Sequence, residues 1–176
     1  MSILSHGIVP AAGYQEGSTG LIVGMSASAS TDMEYINMAS LGNSTAFGDI
    51  SDANHYSASS TSNGSSARYI SFHTKHDDSS DVINYGNILT PGNSADFGNH
   101  QGNTASHPGG AASNSTNNRA VYMGRSSNST VIDYVAINTL GNASNFGSLS
   151  TGSWGGNATG NATNERAIYI SGRNAS

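Results

Sequence analysis

The run His73-Thr74-Lys75-His76-Asp77-Asp78, with Asp81 close behind, is the one place in this sequence where possible metal ligands crowd together. Two imidazoles three residues apart can meet one metal on a helix, but on a strand or loop that spacing turns them apart. Asp77, Asp78 and Asp81 carry the hard oxygen donors that Ca²⁺ takes, yet Ca²⁺ needs about six to eight oxygens, which a lone acidic loop does not supply. The segment therefore reads as a solvated loop between two strands, and no metal and no cofactor is assigned. The other chemically distinctive side chain is Trp154, the single tryptophan, set in the glycine-rich run "STGSWGG". An indole displayed on such a loop is a flat stacking face for a sugar ring or a protein surface, so Trp154 is the candidate ligand or partner contact.

Covalent catalysis leaves clearer traces. There is no Gly-x-Ser-x-Gly elbow, and the run around Trp154 lacks the Asp of a sialidase-type Ser-x-Asp-x-Gly-x-Thr-Trp box. With no cysteine, disulfides and thiolate metal sites are excluded. Eight Asn-x-Ser/Thr triplets, Asn43, Asn114, Asn142, Asn157 and Asn161 among them, follow from the abundance of Asn and Ser and imply no glycan. The sequence reads as that of a protein that is not an enzyme.

Composition narrows the partners. Net charge is −5, with Lys75 the only lysine and the arginines scattered, so no basic face exists to neutralise phosphates and nucleic acid is not an expected partner. No run approaches the roughly 18 apolar residues that would span a bilayer, so no membrane partner is expected. The opening "MSILSHGIVPAAG" lacks the basic and apolar regions of a secretion signal, and cytoplasmic synthesis is the expectation. Apolar residues make up 35%, and Ser, Asn and Gly together fill more than two-fifths of the chain, a composition that a disordered tract would share.

An internal repeat excludes disorder. "MEYINMASLGNSTAFGDI" from Met33, "INYGNILTPGNSADFGNH" from Ile83 and "IDYVAINTLGNASNFGSL" from Ile132 share a Tyr (Tyr35, Tyr85, Tyr134), a Gly-Asn pair and a Phe-Gly pair led by Phe47, Phe97 and Phe146. Tyr and Phe are twelve residues apart each time, and successive copies are offset by 50 and 49 residues, a period that marks a repeated supersecondary unit. The stretches "ARYISFHTK", "RAVYMGR" and "RAIYISGR" repeat too, placing Arg68, Arg119 and Arg166 at one position, with "GLIVGM" in the same place before the first copy. The chain divides into an N-terminal segment (1–19), three repeats (20–67, 68–118, 119–165) and a terminal strand (166–176), all one domain. The Tyr, Phe and Arg residues fixed in each repeat are expected to form the structural core, with the arginines making equivalent hydrogen bonds.

The elements that position these residues are short strands. "RAVYMGR" and "VIDYVAI" form a hairpin of β-branched and aromatic residues. The Gly-Asn pair suits a turn because both residues tolerate positive φ, "ASNFG" is a third strand, and the small polar residues before each Arg supply a fourth. No helix is expected, since no apolar pattern keeps a 3.6-residue period. Four short strands per roughly 50 residues describe a propeller blade.

The order R-x-[VI]-Y, I-D-Y-hydrophobic, G-N-[AS]-x-x-F-G resembles the kelch-like repeats of structural proteins from tailed bacteriophages of the marine cyanophage type, over residues 20 to 173. It departs from kelch blades at the end of the second strand, where Gly124-Arg125, Ser171-Gly172 and His73-Thr74 stand in place of Gly-Gly. The resemblance implies an all-β fold of kelch-like β-propeller blades, completed by oligomerisation or by docking, and a virion structural protein, a capsid decoration or accessory protein on the outer surface. The implied partners are the major capsid protein or other virion proteins and further copies of the chain. The alternative is a tail-fibre or adhesin module that binds carbohydrate.

Overall fold

The structure, a computed structural model, describes residues 19–23, 31–51, 55–63, 67–75, 80–104, 109–114, 118–124, 129–153, 155–161 and 166–170. Every regular element among them is a β-strand, and the strands form four antiparallel sheets in chain order. The first contains β1 (Thr19–Val23), β2 (Asp32–Asn37) and β3 (Thr45–Asp49). The second contains β4 (His55–Asn63), β5 (Arg68–Lys75), β6 (Ser80–Asn87) and β7 (Ala95–Thr104). The third contains β8 (Gly110–Asn114), β9 (Arg119–Met123), β10 (Val131–Ala136) and β11 (Ser144–Ser148). The fourth is a pair, β12 (Asn157–Asn161) and β13 (Arg166–Ile170). Within each sheet the strands follow one another as neighbours. The hydrogen-bonded sheets thus begin one strand before Arg68 and Arg119, so a unit drawn from Arg68 to Asn118 straddles two of them.

One local device recurs where the sequence repeats. Met33 pairs with Gly48 and Glu34 with Ala46, leaving Phe47 as an extra residue in the ladder; Phe97 and Phe146 are skipped in the same way. Such a bulge bends the strand and increases its twist. The glycine after each Phe carries the conformational strain, with φ of 154°, 145° and 152° at Gly48, Gly98 and Gly147, a region L side chains avoid. Gly-Asn behaves differently from the expected turn. Gly141 has φ of 152°, but Gly42 and Gly92 are not among the glycines with positive φ. The left-handed residues of the repeat are Ala67 and Asn118, φ 51° and 53°, just ahead of the two arginines.

The sheets stack through their first strands. β4 lies against β8, and β8 against β12 and β13. β8, β12 and β4 from Ser57 onward are built of Gly, Ala, Ser, Thr and Asn, and the fit is close: a methyl group on Gly110 would come within 2.6 Å of the Ala158 nitrogen, and one on Gly160 within 2.6 Å of the Ser113 carbonyl oxygen. Thr61 donates a hydroxyl hydrogen bond to Ser113, and Ser113 to the Ser62 carbonyl. The high Ser/Asn/Gly content is therefore a packing requirement at these strands.

Apolar burial sits between sheets. Met33, Phe47, Ile50 and Tyr69 fill the first junction. Ile70, Phe72, Ile83, Phe97, Ala111, Ala120, Tyr122, Val135, Ile137 and Ala143 fill the second. Phe72 and Tyr122 stack at 4.9 Å between centroids, with the His100 ring 4.9 Å from Tyr122.

Candidate functional site

The part of the molecule with the most specific chemistry is the junction between sheets, made by the repeated Gly-Asn and Phe-Gly pairs together. At the first junction the Gly92 N–H donates to the Phe47 carbonyl (2.7 Å), the Ser94 N–H to the Asp49 carbonyl (2.8 Å), and the Asp49 N–H to Asn93 Oδ1 (3.0 Å). At the second, Gly141 donates to Phe97 (2.9 Å), Ala143 to Asn99 (2.8 Å), and the Asn99 N–H to Asn142 Oδ1 (3.0 Å). Each Gly-Asn clamps the Phe-Gly strand of the sheet before it. The strand glycine is obligatory for a second reason here, since a Cβ on Gly48 or Gly98 would lie 2.3 or 2.4 Å from the carbonyl oxygen of Gly92 or Gly141.

Rings finish the joint. Tyr35–Phe47, Tyr85–Phe97 and Tyr134–Phe146 form the same edge-to-face pair, with centroids 6.0, 5.7 and 6.0 Å apart. The guanidinium carbon of Arg68 sits 4.7 Å over the Tyr85 ring and that of Arg119 5.2 Å over Tyr134. Arg68 also donates to the Ile137 carbonyl of the next sheet at 2.7 Å. Among the described residues only Arg68 makes that cross-sheet bond, so the arginines share a stacking position without sharing a hydrogen bond.

The third junction, between the third and fourth sheets, lacks half its parts. Among the described residues the fourth sheet is the pair β12 and β13 alone, and Gly147 meets nothing within 4 Å. Phe146 is 52% exposed where Phe97 is 3%, a departure from the core role expected of it. Ile168 occupies the place of Ile70 and is 60% exposed where Ile70 is fully buried. Arg166 is exposed, and among the described residues no tyrosine lies beneath it. A groove of about 370 Å³ opens here, lined by Val121, Met123, Ile132, Phe146, Arg166 and Ala167 among others. At the opposite end of the stack, Gly42 and Asn43 of the first Gly-Asn pair make none of the clamp's hydrogen bonds among the described residues.

Those of the candidate ligands that are among the described residues, His73 and Asp81, are not assembled into a site. His73 is fully buried within β5, whose strand runs on to Lys75, rather than lying in a solvated loop. Asp81 accepts a 2.9 Å hydrogen bond from Asn99. His76, Asp77, Asp78 and Trp154 lie outside the described residues. Among the described residues no group of three or more His, Cys, Asp or Glu could hold a metal. The buried polar contact that sequence reading missed is His100 with Asp133, Nδ1 to Oδ2 3.7 Å. Asp133 was visible only as a member of a β-run.

No family model matches the chain, and no curated protein matches it.

Proposed function

We infer that this chain is a non-enzymatic virion structural protein of a tailed bacteriophage, most simply a capsid decoration or accessory protein, with kelch-like blades as its building unit. The observation that carries the reading is the unfinished third junction: β13, which pairs only with β12 among the described residues and leaves Ile168 and Ile170 exposed, beside an apolar groove lined in part by the exposed Phe146. A strand edge with apolar side chains is a template for pairing with another chain, and a repeated particle surface multiplies weak contacts of this kind. The resemblance of the three eighteen-residue copies to phage kelch-like repeats supplies the setting, with the major capsid protein, another virion protein or a further copy of the chain as partner.

The test is quantitative mass spectrometry of purified phage particles carrying this gene, counting the chain against the major capsid protein. Hundreds of copies in a simple ratio to the lattice support decoration. A few dozen or fewer place the chain on the tail and favour a carbohydrate-binding tail-fibre module. Absence from particles overturns the virion reading.

A further inference from the structure

We propose that the fourth sheet is completed by a second copy of this chain, joined head to tail, with β13 of one copy pairing with β2 of the next in place of that copy's own β1. The proposal takes self-association from the reading above and is independent of where the assembly resides.

The two ends of the molecule are missing complementary parts. Among the described residues the fourth sheet has first and second strands and no third or fourth; β2 and β3 are a third and a fourth strand, and β3 is followed by the next sheet. Among the described residues no clamp bond reaches Phe146, Gly147 or Ser148 of the third sheet, and Gly42 and Asn43 of the first sheet make none of the clamp's bonds. Met38 is 62% exposed where its counterpart Ile137 is fully buried in the second junction. Arg166 lacks the tyrosine that Arg68 and Arg119 cover, and Tyr35 lacks an arginine among the described residues, because β1 has Thr19 at the arginine position, opposite Asn37. What one end lacks, the other end carries.

β2 has one edge for β3 and one edge remaining, so β1 and an incoming β13 exclude each other. β1 is the weaker occupant. It has Thr19 and Gly20 where β13 has Arg166 and Ala167, and glycine in a strand contributes no side-chain packing. Transferring the β1 register places Arg166 opposite Asn37, Ile168 opposite Tyr35 and Ile170 opposite Met33. The Gly42 N–H then meets the Phe146 carbonyl, and Asn43 Oδ1 meets the Ser148 N–H, as at the two internal junctions. Being heterologous, the contact repeats from copy to copy, and it ends in a ring if the rotation closes.

The chain has no cysteine, so engineered thiols report cleanly. Gly20→Cys with Ile36→Cys, neighbours in register, fastens β1 to β2 as an internal disulfide. By sedimentation velocity, the reduced variant is expected to associate like the parent chain, and oxidation is expected to weaken association at least tenfold, reversed by reductant. Separately, Asn43→Cys and Ser148→Cys chains are mixed and oxidised. Crosslinks between unlike chains only are expected, because both positions are exposed and meet only across the joint. A chain that stays monomeric at millimolar concentration overturns the proposal, as does association indifferent to the lock, or crosslinking of Asn43→Cys chains to one another. A monomeric chain still found on particles would leave the virion reading standing and remove this joint alone.

Discussion

Phe97 and Phe146 occupy the same place in two consecutive repeats, each the extra residue of a bulge and each edge-on to a tyrosine twelve residues earlier. Phe97 is closed over by Gly141, Asn142 and Ala143 of the following sheet; Phe146 faces water. Their local sequences, strand pairing and ring geometry agree, so the difference lies wholly in whether a following Gly-Asn strand is present. Formation of the repeat and burial of the repeat are separate events: the first is local, and the second needs the next sheet.

That separation can be broken by mutation. The largest effect is expected for Phe97→Ala, which should cost about 3 to 5 kcal/mol of folding stability by removing a buried aromatic. Phe146→Ala should cost under about 1 kcal/mol when measured by urea unfolding at a dilution that keeps the chain monomeric. Next is Gly98→Ala, whose methyl group collides with the Gly141 carbonyl at a positive φ, expected to cost about 2 to 4 kcal/mol. Gly147→Ala meets no neighbour and should show only the backbone penalty, roughly 1 to 2 kcal/mol.

A chemical probe sharpens the closed side. Burial raises the Tyr69 phenol from its ordinary value near 10 to about 12. The unfolded chain therefore releases this proton first, so the stabilisation is complete below pH 10 and is lost as pH climbs to 12. Between pH 9 and pH 11.5 the parent chain is expected to lose about 1 to 2 kcal/mol more than Tyr69→Phe, read from urea midpoints. The smallest contrast is in the clamp: Asn142→Ala should cost about 1 kcal/mol through its bond to the Asn99 N–H, whereas Asn43→Ala should leave monomer stability unchanged.

The strands were legible because their signal is local. β-branched and aromatic runs, the fixed Tyr-to-Phe spacing and the small polar strand before each arginine all correspond to elements of the sheets. Gly-Asn was visible as a repeated pair, but its partner lies about 44 residues earlier in the chain, and no local pattern links an asparagine oxygen to an N–H in another sheet; it was read as a turn. His73 misled for a related reason, since polar residue type suggests solvent while the stacking of a neighbouring sheet decides burial. The open junction left a trace in the sequence, an orphan strand with no Tyr-Phe copy after it, and the exposed Ile168 and Ile170 are its physical counterpart.

The crowded first strands set more than contact. Neighbouring sheets approach closely at both margins: at β8 and β12, where a methyl group on Gly110 or Gly160 would come within 2.6 Å of the facing strand, and at the clamp, where one on Gly48 or Gly98 would come within 2.4 Å of a facing carbonyl oxygen. The gap between sheets is thus fixed at two places by residues with no side chain to yield. Methyl groups at Gly110 and Gly160 would push one margin apart while the clamp held the other, so the tilt of one sheet against the next is a property of the least hydrophobic residues in the chain.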